Sequence, residues 1–196
     1  QTGKGVSDFH TGDRVVSNGN HAEYVVVNQN LCTRIPDNTD IKEASFTVLG
    51  SIALHGLRLS ETSLGSKVVV IGLGIIGQLV CRLAEAQGSE VIGIDPDTKR
   101  TDMSANFYTS VEEANMTNVD SVIITAATSS NEPIEVATKI ARNKAKIVVV
   151  GDIPLNISRN DFYYKELELV VSKSYGPGRY DKQYEILGKD YPIEYV

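Results

Sequence analysis

The sequence predicts an α/β protein with a doubly wound parallel sheet, preceded by a shorter β-rich segment. Three observations predict it. From Lys67 onward, short β-branched runs alternate with amphipathic stretches, the pattern of strands covered by helices on both faces. The first of those runs leads into Gly72-Leu73-Gly74-Ile75-Ile76-Gly77, and the next ends on a carboxylate, Asp95. Residues 1–46 carry instead small β-rich pieces punctuated by Gly, Asn and Pro.

The chain of 196 residues is long enough for one full domain and part of another. A net charge of -6 argues against nucleic acid or an anionic membrane surface as partner, since both attract basic surfaces. No apolar run approaches the roughly 18 residues of a membrane helix, and no basic leader precedes an apolar one. Cys32 and Cys81 lie far apart with no Cys-x-x-Cys, which reads as two thiols in a reducing compartment. These features predict a cytoplasmic protein. Gln1 opens on a loop-like stretch and Val196 follows an extended run, so both ends read as cuts in a longer protein.

In chain order, Arg14-Val15-Val16 predicts a strand, and His21 to Val27 a second. Asn18-Gly19-Asn20 between them tolerates positive φ and predicts a hairpin. Leu31 to Ile35 is a third strand, closed by Pro36-Asp37. Ile41, Ala44, Val48, Ile52 and His55 recur at helical spacing, with Gly50 and Gly56 expected to interrupt the run. Lys67 to Ile71 reads as a strand buried on both faces. Ile75, Leu79, Val80, Leu83 and Ala86 form a helical stripe that ends at Gly88. Strands follow at Val91–Ile94, Val122–Ile124, Ile147–Val150 and Leu167–Val171. A helix is predicted over Pro133–Asn143, with Ile134, Ala137, Ile140 and Ala141 inward. The domain boundaries follow: a partial β domain over 1–46, a nucleotide-binding domain over 47–172, and a return segment over 173–196.

Each turn glycine has its own reason. Gly72 allows a tight exit from the strand, Gly74 lets a pyrophosphate approach the backbone, and Gly77 lets helix and strand pack closely. The free N–H groups at the start of the helix, around Ile75 and Ile76, then face the phosphates. Asp95, 18 residues after Gly77, is placed to accept both ribose hydroxyls and to repel a 2′-phosphate, which favours NAD over NADP. Lys99 and Arg100 follow within reach of the ribose or a phosphate. A glycine turn that binds nothing, and an S-adenosylmethionine site, are the alternatives at this point.

The flanks narrow the choice. Gly12-Asp13-Arg14-Val15, His21-Ala22-Glu23-Tyr24-Val25, Ile35-Pro36-Asp37, Thr47 to Gly56 and Leu64 to Gly72 resemble, in order and spacing, the medium-chain dehydrogenase/reductase superfamily of zinc-type alcohol dehydrogenases. The resemblance implies part of a chaperonin-10-like β domain followed by a Rossmann domain. It also implies hydride transfer between an alcohol, polyol or sugar-like small molecule and the nicotinamide of NAD. By position, it implies cofactor contacts from the turn glycines, Asp95, Arg100, Thr125, Ala126, Val150 and Gly151. It implies no catalytic residue here, because the family's zinc-binding Cys and Gly-His-Glu motif do not occur in this sequence. The four-cysteine zinc loop is missing as well, so no metal ligands are expected and the piece is expected to be inactive alone. Homodimers joined sheet edge to sheet edge are common in the superfamily. The tail, Ser174 to Asp181, Tyr184-Glu185, Gly188 to Pro192 and Tyr195-Val196, resembles the front part of bacterial two-part oxidoreductases. The alternative reading is a non-catalytic NAD-binding or scaffold module.

Other residues support little chemistry. Arg179 either faces an anion in the cleft or pairs with Asp181 or Glu185, and His55 either lines the cleft or packs in the core. His21 has no second ligand nearby. No Tyr has a Lys four residues on, which argues against the short-chain dehydrogenases. Adjacent Glu112 and Glu113 point apart on a helix, as a solvated face would have them.

Overall fold

The computed structural model describes residues 1–102, 104 and 106–190. Two sheets form. Strands β1 (Val15–Ser17) and β2 (Cys32–Arg34) pair antiparallel. Helices α1 (Ile41–Ala44) and α2 (Thr47–Leu59) lead to the larger unit. There β3 (Lys67–Ile71), α3 (Ile75–Ala86), β4 (Glu90–Ile94), α4 (Thr98–Thr101), β5 (Phe107–Tyr108) and α5 (Val111–Ala114) make the first half. The second half is β6 (Val119–Ile124), α6 (Glu132–Ile140), β7 (Ala141–Val149), α7 (Arg159–Lys165) and β8 (Glu168–Val171), before a short α8 (Lys182–Glu185). All six strands are parallel, in the order β5-β4-β3-β6-β7-β8. This is the doubly wound Rossmann arrangement, and its strand order reverses between β3 and β6.

Successive residues of a strand point to opposite faces, and here both faces are covered. Val69, Ile71, Val122, Ile124, Ile147 and Val149 pack with Ile134, Ala137 and Ile140 of α6. Val68, Val70, Ile123 and Val148 pack with Ala53 and Leu57 of α2 and Val80, Cys81 and Ala84 of α3. That is why these strands read as unbroken apolar runs. Each fully buried Val or Ile stabilises the fold by about 2 kcal/mol.

Four expectations need correction, and one strand was not expected. Among the described residues, 21–27 forms no strand, and β1 pairs with β2 instead of joining a hairpin across Asn18-Gly19-Asn20. Tyr24 and Val26 stand fully in solvent, with no strand edge against which to bury their apolar side chains. Gly50 and Gly56 do not interrupt the helix; the break falls at residues 45–46, and α2 runs through both glycines. Gly56 lies close to β7's exit, since a Cβ there would stand 2.7 Å from Val150 Cγ2. Tight packing outweighs the cost of about 1 kcal/mol for glycine in a helix. Of the expected α3 stripe, Val80 is buried and Leu79 and Leu83 pack partly against the core, but Ile75 and Ala86 are exposed; the buried centre of the face is Gly77, Val80, Cys81 and Ala84. The sixth helix stops at Ile140, and residues 141–143 already belong to β7. Lys165 Nζ donates to the carbonyls of Thr138, Lys139 and Ala141 at 2.7, 3.0 and 2.9 Å, taking acceptors that another helical turn would use. Finally, β5 and its two residues carry no strand pattern of their own; they are held as an edge against β4.

The tail returns to the N-terminal segment. Glu185 Oε1 accepts from Tyr175 Oη, Arg179 Nη1 and the Tyr180 N–H, at 2.8, 2.8 and 3.1 Å. Asn30 Nδ2 donates to the Ile186 carbonyl at 2.9 Å. Arg179 is therefore a partner of Glu185, stacked 3.9 Å from the Tyr180 ring centroid, and not a free cleft cation. The tail residues Tyr191-Pro192 and Tyr195-Val196 lie outside the described residues.

Candidate functional site

The turn after β3 is built by close backbone approach. Gly72 has φ +98°, and a Cβ on it would stand 2.5 Å from the Ala126 nitrogen. A Cβ on Gly77 would overlap the Gly72 carbonyl oxygen and stand 2.7 Å from Thr125 Oγ1. Gly151 is held the same way, against the Ala126 carbonyl. The ends of β3, β6 and β7 thus interlock through positions where no side chain fits. Gly74 differs: it caps α3 and a Cβ there would meet nothing within 4 Å. That open space lies over the first turn of α3, where the leading N–H groups have no partner inside the helix. Ile75 carries an exposed side chain and Ile76 packs against the α2–α3 core, so both offer the opening their backbone.

Asp95 follows β4 and faces this turn. Its residue is 3% exposed. Oδ2 accepts from the Leu73 N–H at 2.7 Å and from Arg100 Nη1 at 3.0 Å, and Oδ1 accepts from the Asp97 N–H at 2.9 Å. Burial alone would raise its pKa. The N–H groups of Asp97 and Leu73 and the Arg100 guanidinium outweigh burial, so the carboxyl titrates below its ordinary value. Arg100 is half-exposed, and its Nε also lies 3.6 Å from Asp97.

The remaining predicted residues sit at neighbouring strand ends. Thr125 Oγ1 donates to the Gly72 carbonyl, so its hydroxyl supports the turn from below. Ala126 N donates to the Ile71 carbonyl at 3.1 Å; Val150 N and Gly151 N donate to that of Ile124, at 2.8 and 3.0 Å. Gly72, Gly74, Gly77, Asp95, Arg100, Thr125, Ala126, Val150 and Gly151 therefore converge on the carboxyl ends of the strands, beside the switch point between β3 and β6. Sequence reasoning missed Gln78, whose Nε2 donates to the Leu73 carbonyl at 2.9 Å and pins the turn from the helix side. It also missed that Leu73 is itself buried, with its N–H on Asp95.

A cavity of about 670 Å³ lies where α2, the N-terminal segment and the tail meet, lined by Ser17, Asn18, Thr33, Ser51, His55 and Tyr175 among others. His55 is half-buried there, 3.6 Å from the point where a Cβ on Gly176 would stand. Burial, helped by nearby Arg58, lowers its pKa. Among the described residues, no three His, Cys, Asp or Glu side chains converge as a metal site requires. No helix among them is long and apolar enough to cross a membrane.

A parallel sheet whose glycine turn, open helix N-terminus and buried carboxylate meet at the switch point defines a dinucleotide-binding domain. Residues 48–162 match the family described as D-isomer specific 2-hydroxyacid dehydrogenase, NAD binding domain, and the chain belongs to that family of NAD-binding domains. The 2-dehydro-3-deoxy-L-galactonate 5-dehydrogenase of Pseudoalteromonas atlantica (strain T6c / ATCC BAA-1087) is 26% identical over 169 residues, 79% of this chain and 49% of that protein. The D-guloside 3-dehydrogenase of Escherichia coli (strain K12) is 35% identical over 108 residues, 53% of this chain and 31% of that protein. The crystal structure of galactitol-1-phosphate dehydrogenase from Escherichia coli superposes with a TM-score of 0.75 at 22% identity, over 88% of this chain and 64% of that one, a likeness of fold. The chain spans about half or less of the length of these curated relatives. The family match is confined to the nucleotide-binding part, whereas the first relative aligns over a longer stretch.

Proposed function

We propose that this chain is the NAD-binding portion of a medium-chain-type dehydrogenase that oxidises or reduces a polyol or sugar-like alcohol. The observation that carries the reading is the placement of Asp95 directly across the glycine turn, with Leu73 bridging the two. The relatives named above are all dehydrogenases, which supports the oxidoreductase class, and the first two are named for sugar derivatives.

In this reading the chain's residues have separate tasks. Gly74 leaves room for the pyrophosphate, and the leading N–H groups of α3 at Ile75 and Ile76 bind it. Asp95 and Arg100 hold the adenosine ribose. The backbone at Thr125-Ala126 and Val150-Gly151 borders the nicotinamide half. When bound, NAD supplies a hydride acceptor, and NADH a donor, at the nicotinamide ring. The cavity beside His55 then takes the substrate, where hydroxyl and amide side chains suit a polyhydroxylated molecule. His55, held toward its neutral form by burial, is able to accept a hydroxyl proton there. We further propose a homodimer through the open edge of β8, whose Val171 is exposed and whose outer side has no strand among the described residues.

Titrating the chain with NADH and following nucleotide fluorescence tests the cofactor reading. Saturable binding in the micromolar range is expected. No saturation by a chain with an intact circular-dichroism spectrum refutes it.

A further inference from the structure

The tail closes one side of the cavity beside His55, and one tail residue meets that cavity with a hydroxyl of fixed polarity. Tyr175 lines the cavity and precedes Gly176, which lies against His55. Its Oη donates to Glu185 Oε1 at 2.8 Å. Arg179 Nη1 and the Tyr180 N–H donate to the same oxygen, at 2.8 and 3.1 Å. The Arg179, Tyr175 and Tyr180 donors together hold the Glu185 carboxyl below its ordinary pKa, so it stays an acceptor at neutral pH. Burial, and then the bond to Glu185, raise the pKa of Tyr175, so the phenol keeps its proton on the Glu185 side. A phenol has one O–H to give. With that proton committed, Tyr175 offers the cavity a lone pair. Across from it stands Asn18, another lining residue, whose Nδ2 is 3.5 Å from Tyr175 Oη. That is the outer limit of a hydrogen bond, and a closer donor displaces it at little cost. The two side chains therefore set an acceptor beside an amide donor.

We propose that Tyr175 is a specificity-determining residue that selects a hydroxyl group of the ligand: the hydroxyl donates to Tyr175 Oη and accepts from Asn18 Nδ2. The proposal rests on the substrate reading of the cavity given above. It says which chemistry this end of the cavity admits. An alcohol carries a donor and an acceptor on one atom, which matches the pair. A carbonyl or carboxylate oxygen has no proton to give, so it would set lone pair against lone pair at Tyr175, with the charge of Glu185 behind the phenol. The tail end of the cavity therefore takes a carbinol of a polyol or sugar, and a carbonyl or acidic group of the same ligand lies elsewhere. Tyr175 and Asn18 are both half-buried, so water partly replaces a missing ligand hydroxyl and the discrimination is that of a single neutral hydrogen bond.

The test uses the whole chain with NAD present, and sorbitol, xylitol and galactitol as probes, with dissociation constants read by ligand-observed NMR. The tightest of the three is then compared with analogues in which one hydroxyl at a time is replaced by fluorine, which cannot donate. Tyr175→Phe keeps the ring and removes the oxygen. It is expected to weaken the polyol about fivefold, and to abolish the penalty of one particular fluorine replacement while leaving the others as they are in the wild type. Asn18→Ala is expected to weaken the polyol about threefold and to keep that penalty, since the donor contact to Tyr175 survives. Fluorine penalties identical in Tyr175→Phe and wild type would show that the phenol only packs the tail, and would overturn the proposal. Unchanged polyol affinity in Asn18→Ala would overturn it as well, by a measurement that leaves the tail intact. If the folded wild type binds none of the three polyols, the substrate reading of the cavity falls and takes the proposal with it.

Discussion

Replacing Asp95 by Asn keeps the shape of the side chain and removes its charge. Asn has one acceptor oxygen and puts an NH2 group where the other oxygen stood. Whichever way it turns, the N–H of Leu73 or that of Asp97 faces a donor. A buried N–H left without an acceptor costs about 1–3 kcal/mol. The Arg100 share adds little, because that side chain is half-exposed and turns to water. Asp95→Asn should therefore lose about 2 kcal/mol in urea unfolding, as a lower midpoint with an unchanged slope. NADH affinity should fall about tenfold, the worth of one charge-assisted hydroxyl contact. The preference for NADH over NADPH should narrow, since the repelling charge is gone and Arg100 remains. The pH dependence has a definite sign. The folded carboxyl titrates below its unfolded value, so its stabilisation is complete above the ordinary carboxylate range and is lost as pH falls through the folded pKa. The gap between wild type and variant should be full at pH 7 and shrink below about pH 4. A variant as stable as wild type at pH 7, or a gap of equal size at pH 7 and pH 3, would refute the assignment of Asp95 as a buried, charged anchor of the turn.

Further outcomes follow from single contacts. Gly77→Ala places a methyl group onto the Gly72 carbonyl and should cost about 1–3 kcal/mol in thermal unfolding as well as NADH affinity. A variant that melts with wild type would contradict the packing of the turn. Lys165→Met leaves three carbonyls at the end of α6 without their common donor and should cost about 1–2 kcal/mol, read as earlier urea unfolding. The Cys81 thiol, buried and pushed up to about 12, should resist a thiol reagent at pH 8 until the protein unfolds. Cys32 is only half-buried and its pKa is raised by burial alone, so it should label first; the reverse order would contradict the placement of Cys81 in the core.

Much of this architecture was legible because burial on two faces leaves an unmistakable mark. The strands β3, β6 and β7 contribute Val and Ile to both cores, so their centres stood out as apolar runs. The turn glycines were legible for a related reason: close approaches at Gly72 and Gly77 leave no room for a Cβ, Gly72 also takes a positive φ, and Gly74 keeps the space over the helix start open. What was hidden depends on partners distant in sequence. The early end of α6 is set by Lys165, some 25 residues on, and nothing near Ile140 announces it. Residues 21–27 have the composition of a strand, but a strand also needs a neighbour, and composition carries no information about neighbours. At the site, Asp95 and Arg100 could each be picked out by position. That the second would occupy the first could not, because it depends on how α4 returns toward the end of β4.

The interlocked strand ends have a thermodynamic corollary. Gly72 and Gly151 meet Ala126, and Gly77 meets Gly72, mainly through main-chain atoms, which have no rotamers to choose among. A cradle made this way holds its shape whether or not anything lies in it, so a ligand has little ordering to impose and little entropy to lose on arrival. Association should then be a rigid-body event: a small negative heat-capacity change matching only the apolar area covered, and amide exchange at the hydrogen-bonded Gly72 and Leu73 already slow before any nucleotide is added.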